Sequence, residues 1–295
     1  MFNWKNLFKK KCSLKSINKS ELEEKLTKFT DFGLNREERN PKVIVSLTSF
    51  PERMHDIHYC IYSLLNQSFK PDEVVLWLAE DQFPNREDDI PQSVLKLKTN
   101  GLSIKWCENL YSYKKLIPSL NEFPNDIIVT TDDDIFYEKD FLEKLYKSYL
   151  ETPNEISCHR AHKVKTDKNG NIEIYKKWKK KIKGETIDYK NFFTGAGAVL
   201  YPPHSLAKDI CNIELFTKLA PKADDIWFWA MAVLNNTKIK VVKDNISELT
   251  YINPERERGL TGETTLFASN KKGGNDLQME AVIKEFPQIL KIINE

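Results

Sequence analysis

The stretch Asp126-Ile127-Ile128-Val129-Thr130-Thr131-Asp132-Asp133-Asp134 sets three consecutive carboxylates directly after a short β-branched run. Such a run predicts a buried strand, and in α/β sheets ligands gather beyond the carboxyl ends of the strands. Like charges a few ångströms apart repel, so a triplet this dense is costly unless something neutralises it. A divalent cation is the natural neutraliser, and an all-oxygen donor set suits Mg²⁺ or Mn²⁺ rather than zinc. Along an extended chain Asp132 and Asp134 are expected on one side and Asp133 on the other. A solvated acidic turn is the alternative for an isolated motif, and the surrounding elements decide between the two.

Upstream, Val43-Ile44-Val45-Ser46-Leu47-Thr48 reads as a strand entering the loop Ser49-Phe50-Pro51. Ile57, Cys60, Ile61, Leu64 and Leu65 recur at helical spacing. Strands follow at Val74 to Leu78 and Ser103 to Cys107, then a short helix from Lys114 to Leu120, so the acidic triplet ends the fourth strand. Strands alternating with helices predict a largely parallel sheet covered on both faces. Downstream, Asp140 and Glu143 form a D-x-x-E cap before an amphipathic helix through Tyr149. Beyond residue 155 the pattern changes to short strands: Ile156 to Arg160, a hairpin turning at Asn169-Gly170, Gly195 to Tyr201, and Ile239 to Val242. Asp225 to Leu234 predicts a buried helix, and Asn275 to Ile293 a helix bent near Pro287, with Asn275 and Gln278 as its capping box.

The chain of 295 residues has 40% hydrophobic and 30% charged residues, which fits an ordinary globular protein. Its net charge of +2 conceals large opposing totals, so no global field points to nucleic acid as a partner. Basic residues cluster near the N-terminus and in Lys176 to Lys183, around Trp178. The scattered Cys12, Cys60, Cys107, Cys158 and Cys211 form no metal-ligand spacing and fit a reducing, cytoplasmic compartment. No apolar run is long enough for a transmembrane helix, and the start lacks the apolar region of a secretory leader. Residues 1 to 40 read as a partly helical extension. Within them Phe2, Trp4, Leu7 and Phe8 beside Lys9, Lys10 and Lys11 could rest on an anionic membrane surface, or simply pack on the domain.

From Val43 to about Trp229 the chain resembles bacterial GT-A, GT2-like glycosyltransferases of lipooligosaccharide and capsule gene clusters. The resemblance is carried by Val45-Ser46-Leu47-Thr48-Ser49-Phe50-Pro51-Glu52-Arg53, Ser63-Leu64-Leu65-Asn66-Gln67, Lys114-Lys115-Leu116-Ile117-Pro118, the triplet with its strand, and Ala223-Asp224-Asp225-Ile226-Trp227. It implies an α/β, GT-A (Rossmann-like, nucleotide-diphospho-sugar transferase) mixed sheet flanked by helices. Residues 41–295 would form that domain, with 41–150 the nucleotide-binding half and 151–295 the acceptor-binding half.

The resemblance also implies roles. The loop from Thr48 through Ser49 to Arg53 would hold base and ribose, with Arg53 able to fork onto a phosphate. Lys114 or Lys115 would meet the pyrophosphate. Asp132, Asp133 and Asp134 would serve as the DxD motif, Asp134 as direct metal ligand and Asp132 nearer the ribose. Asp225 is the candidate base that takes the acceptor proton in an inverting transfer, while Asp224 would cap the following helix. The Gly195 and Gly197 segment resembles the small-residue strand against which a sugar approaches, and Trp227 and Trp229 either stack on sugar or fill the core. His159 reads better as a structural histidine than as a ligand, and Arg160 beside it could touch donor or acceptor. The last histidine is His204, so a C-terminal third metal ligand is in doubt, and Glu255 to Lys272 could form a lid or an ordinary loop. The partners expected are a nucleotide-sugar donor, a UDP-sugar by the resemblance, and an oligosaccharide or glycolipid acceptor. A non-catalytic glycan-binding protein of the same fold, or another Mg²⁺-dependent nucleotide-sugar enzyme, are the alternatives.

Overall fold

The structure, a computed structural model, describes residues 14–257 and 274–295. The aromatic and basic residues of positions 1–11, Cys12 and most of the expected lid lie outside the described residues. After α1 (Lys19–Thr27) come β1 (Val43–Thr48), α2 (Ile57–Leu65), β2 (Glu73–Ala79), α3 (Gln92–Leu95), β3 (Leu102–Cys107), α4 (Ile117–Glu122) and β4 (Ile127–Thr130). The second part runs through β5 (Ile135–Phe136), α5 (Phe141–Glu151), β6 (Ile156–Cys158), β7 (Ala161–Lys163), β8 (Thr186–Asp188), β9 (Asn191–Phe193) and β10 (Val199–Tyr201). It closes with α6 (Ile213–Leu219), α7 (Asp224–Leu234), β11 (Ile239–Val241), β12 (Thr250–Tyr251), α8 (Pro254–Glu257), α9 (Asn275–Glu285) and α10 (Gln288–Asn294).

One eight-stranded sheet holds the order β3-β2-β1-β4-β10-β6-β11-β8. The neighbours β3, β2, β1 and β4 are parallel, while β10 enters antiparallel between β4 and β6. The sheet is therefore mixed, as the family resemblance implied and the alternation of strands and helices alone did not. Side chains alternate across β1, so Ile44 joins Val75, Trp77 and Ile128 on the face covered by α7, α9 and α10, while Val43, Val45 and Leu47 join the α2 and α5 face. Burial of both faces explains why the strands read as continuous apolar runs.

Local chemistry departs from the sequence reading at several termini. Asp140 stands at the N-cap of α5 but makes no capping bond, pairing instead with Lys144 at 2.9 Å. At α9 the cap position belongs to Gly274, and Gln278 uses its amide to bind the Gly274 carbonyl and to accept from the Lys222 N–H. The predicted strand from Gly195 begins with a 3₁₀ turn, and regular pairing starts only at Val199. Asn169-Gly170 does turn the chain, with Gly170 at φ 84°, although the arms share a single bridge between Thr166 and Ile172. The segment Lys114 to Leu120 divides into a 3₁₀ turn, Tyr111–Lys115, and α4. Trp227 and Trp229 are fully buried, their indole N–H groups donating to the Ile210 and Tyr189 carbonyls, so both belong to the core.

A buried relay fixes the turn at Lys115 to the sheet. The Trp77 indole donates to Ser119 Oγ at 2.7 Å, Ser119 and Ser46 hydroxyls lie 2.8 Å apart, and Ser46 Oγ donates to the Lys115 carbonyl at 2.6 Å. Read as one chain, each hydroxyl accepts once and donates once, an arrangement in which neighbouring bonds polarise each other. Ser119→Ala would strand the Trp77 N–H in an apolar layer. It is expected to lower stability by about 1–3 kcal/mol, read as a lower urea midpoint at unchanged slope. An unaltered midpoint would show that the relay contributes nothing.

Candidate functional site

The acidic triplet lies where β4 ends and the chain turns toward β5, and the turn changes the expected geometry. Asp132 does not share a side with Asp134. Its Oδ1 accepts from Lys115 Nζ at 2.8 Å, whereas Asp133 and Asp134 both accept from Arg53 Nη1, at 2.5 and 2.8 Å. Strict alternation holds only for extended backbone, and pairing stops at Thr130, so the side-chain directions are set by the turn instead. The Asp132 N–H donates to the Tyr137 hydroxyl, which in turn donates to the Ala196 carbonyl, and the Cys60 thiol reaches the Asp132 carbonyl.

The loop after β1 closes over the triplet. Ser49 Oγ donates to Asp133 Oδ2 at 2.5 Å, and Arg53, with a side chain only 13% exposed, is held charged because Asp133 and Asp134 outweigh the opposing effect of burial. Thr48 turns its hydroxyl to the Trp77 carbonyl. The two lysines that follow one another in sequence part company in space. Lys114 Nζ reaches the Ser49 carbonyl at 3.3 Å and Gln82 at 3.1 Å, while Lys115 Nζ lies between Asp132 and Asp224, 2.8 and 2.9 Å away. Burial lowers the Lys114 pKa, and the carboxylates around Lys115 hold its charge well above the usual range against burial.

The start of α7 supplies the opposite wall. Asp224 is not the cap: Ala223 takes that position, and the Asp224 carboxylate instead pairs with Lys115 and accepts from Ser112 Oγ at 2.9 Å. It still sits in the first helical turn, where negative charge is favourable. Asp225 accepts the Gly195 N–H on both oxygens, at 3.0 and 3.2 Å. Burial first, and then the Asp224 charge, push the Asp225 carboxyl up to about 7. A side chain at Gly195 would put a Cβ 2.6 Å from Lys115 Nζ and 3.1 Å from Asp225 Oδ1, so this glycine is what allows triplet, lysine and helix start to meet. The tight turn leaves Ala198 at φ 64°, a value that L residues rarely adopt.

Sequence reasoning brought together Ser49, Arg53, Lys115, Asp132, Asp133, Asp134, Asp224 and Asp225, which the structure gathers in one region. It missed Ser112, Gln82 and Tyr137, single polar residues in no motif. His159 is structural, its ring spanning the Phe141 carbonyl and the Ile246 N–H. His204 is an exposed turn residue after β10. Next to Asp225 in sequence, Ile226 lines a cleft of about 470 Å³ shared with Tyr175, Trp178, Asn275, Asp276 and Met279.

Five carboxylates thus face Arg53 and Lys115, with Lys114 at the margin. Burial raises Asp132 and Asp133 as well as Asp225, despite their cationic partners. A surplus of buried negative charge on oxygen donors is what a hard divalent cation would relieve, so the residues fit one. Among the described residues no three acidic, histidine or cysteine side chains converge as a ready-made cage. Such an ion would draw on one or two carboxylates and complete its shell with ligand and water, as Mg²⁺ commonly does.

The raised Asp225 has a consequence for the ligand-free protein. A carboxyl whose folded pKa lies near 7 and whose unfolded value is about 3.9 costs stability progressively between those values, and fully above them. Asp225→Asn, which keeps an acceptor for Gly195, is therefore expected to raise the melting temperature relative to the parent more at pH 8 than at pH 5. A pH-independent difference would contradict the assignment.

No curated protein matches the chain. A crystal structure of S. aureus TarS, residues 1–349, is similar at 15% identity and a TM-score of 0.48, over 84% of this chain and 73% of that one. Residues 47–206, more than half of the 295, match the family described as Glycosyl transferase family 2, and the matched span runs from the end of β1 through the acidic triplet to β10. The chain belongs to that family and is a glycosyltransferase of GT-A fold.

Proposed function

We propose that this glycosyltransferase moves one sugar, with inversion, from a UDP-sugar held against the triplet onto a hydroxyl of a glycan or glycolipid acceptor that lies beside Asp225. The observation that carries the reading is the excess of carboxylates over cations where β1 and β4 end. In this reading Ser49 and Arg53 close over the nucleotide and Lys114 and Lys115 face the diphosphate, Arg53 forking onto phosphate oxygens as a planar donor. Asp134 would hold Mn²⁺ or Mg²⁺ directly, and Asp132 would join it by turning away from Lys115. When bound, such an ion neutralises charge on the departing diphosphate.

Asp225 would take the acceptor proton. Its carboxyl, raised to about 7, is poised close to neutral pH, where a base both exists ionised and binds a proton effectively. The Gly195 N–H fixes its direction, and a base held in place contributes most. Asp224 keeps Lys115 oriented rather than reacting. The cleft at Ile226, apolar with aromatic and acidic edges, has the size of a small-ligand site and would admit the acceptor. A role in bacterial surface polysaccharide synthesis, with peripheral membrane contact through residues 1–11, belongs to the same proposal. The described residues contain no helix long and apolar enough to cross a membrane.

Two variants separate the roles. Asp134→Ala should abolish Mn²⁺-dependent UDP binding in calorimetry while leaving the melting curve cooperative; undiminished binding would remove Asp134 from the ion. Asp225→Asn should bind UDP as the parent does yet release UDP from UDP-sugars, offered with an acceptor pool, on the order of 10²- to 10⁴-fold more slowly. Transfer at the parental rate would place the base elsewhere.

A further inference from the structure

Beyond β6 and beside the Gly195 turn lies a group of cations that the proposed chemistry does not use. Arg160 donates through Nη1 to Thr194 Oγ1 at 2.6 Å, its Nε is buried without a partner, and no carboxylate among the described residues lies within ion-pair distance of it. Its backbone is tied to the reacting region: the Thr194 N–H donates to the Arg160 carbonyl, the next residue is Gly195, and a Cβ on Gly197 would come 2.3 Å from Arg160 Cβ. Arg160 therefore cannot shift without shifting the turn that holds Asp225.

A second cation joins it. Lys180 Nζ lies over the Tyr175 ring, 3.0 Å from its centroid, and likewise has no carboxylate partner among the described residues. The acids nearby are committed elsewhere: Glu248 to Lys181 at 2.7 Å, Asp188 to Lys163 at 2.7 Å, Glu173 to Lys177 at 3.1 Å, and Asp276 Oδ1 to the Tyr175 N–H at 2.6 Å. The excess positive charge is felt by its neighbours. Burial first, and then Arg160, lower Lys180 to about 8 and His162 to about 3. The Tyr175 hydroxyl is raised by burial, with Asp225 adding to the effect and Arg160 opposing it, so this ring stands within the field of both. Trp178 and Tyr175 also line the cleft at Ile226.

A partly buried guanidinium with no carboxylate paired to it directly, beside an ammonium, is an arrangement that binds anionic oxygens strongly. We propose that Arg160 and Lys180 form an anion subsite for the acceptor, so that the sugar receiving the transfer carries a phosphate or carboxylate next to the reacting hydroxyl. The inference rests on Asp225 facing the acceptor, as proposed above, and narrows that acceptor from glycans in general to acidic ones.

The full-length chain, with its donor site filled by Mn²⁺ and UDP, would be titrated with glucose, glucose 6-phosphate and glucuronate by calorimetry or ligand-observed NMR. At least one acidic sugar should bind about ten-fold more tightly than glucose, the order expected of a charge-assisted contact. The phosphate and carboxylate arms identify which anion the subsite takes. Arg160→Gln should erase the preference and the surface change Lys180→Gln should reduce it, both with UDP binding intact, while Arg53→Gln should leave the preference in place. Equal binding of all three sugars, persistence of the preference in both Arg160→Gln and Lys180→Gln, or its loss only in Arg53→Gln would overturn the proposal. Failure of UDP to bind at all would instead sink the donor reading, and the same titrations without nucleotide, compared across the three variants, would still locate any anion preference.

Discussion

The arrangement of this protein turns on a buried imbalance of charge. Asp132, Asp133, Asp134, Asp224 and Asp225 converge from two distant parts of the chain, and Arg53 and Lys115 meet only part of their charge. Burying carboxylates is expensive unless each finds a cation or a hydrogen-bond donor. The fold supplies donors one at a time: Ser49 for Asp133, Ser112 for Asp224, the Gly195 backbone for Asp225. What is left over appears as raised carboxyl pKa values. Groups perturbed in this way cluster where proteins bind charge or move protons, and here they cluster at the carboxyl ends of parallel strands, where an α/β sheet opens to ligands.

Each wall of the region is held by something that resists displacement. Lys115 is placed by a turn whose carbonyl is tied through Ser46 and Ser119 to Trp77 in the core. Asp224 and Asp225 begin α7, a helix buried along nearly its whole length. Gly195 lets the two sides approach, and Tyr137 joins the triplet to the same turn by bonding Asp132 and Ala196. The antiparallel insertion of β10 beside β4 is what brings that turn to the triplet at all. A mixed sheet is thus part of the chemistry.

Much of this was legible in the sequence because apolar runs bounded by polar residues announce buried strands. β1, β2, β3, β4, α2 and α7 fall where periodicity put them, within a residue or two. The order β4, β10, β6 was not legible, since pairing between strands about seventy residues apart leaves no local mark. Capping failed at Asp140 because Lys144 pairs with its side chain, and at Asn275 because the cap position falls one residue earlier, on Gly274, while the Gln278 amide is taken by the Gly274 carbonyl and the Lys222 N–H. The triplet was recognised, but its side-chain directions were not, because alternation ends with the strand. Tyr137, Gln82 and Ser112 carry no motif, and only the folded chain shows that they support the charged groups.

The central claim is that the carboxylate surplus holds a divalent ion against a nucleoside diphosphate, and the most direct measurement is a manganese anomalous difference map from crystals grown with Mn²⁺ and UDP. The account predicts one strong peak coordinated by Asp134 or Asp132 together with oxygens of the diphosphate, with Asp225 left free of metal. UDP bound with no peak at the triplet, or a manganese peak elsewhere while Arg53 and Lys115 keep their present carboxylate partners, would contradict it.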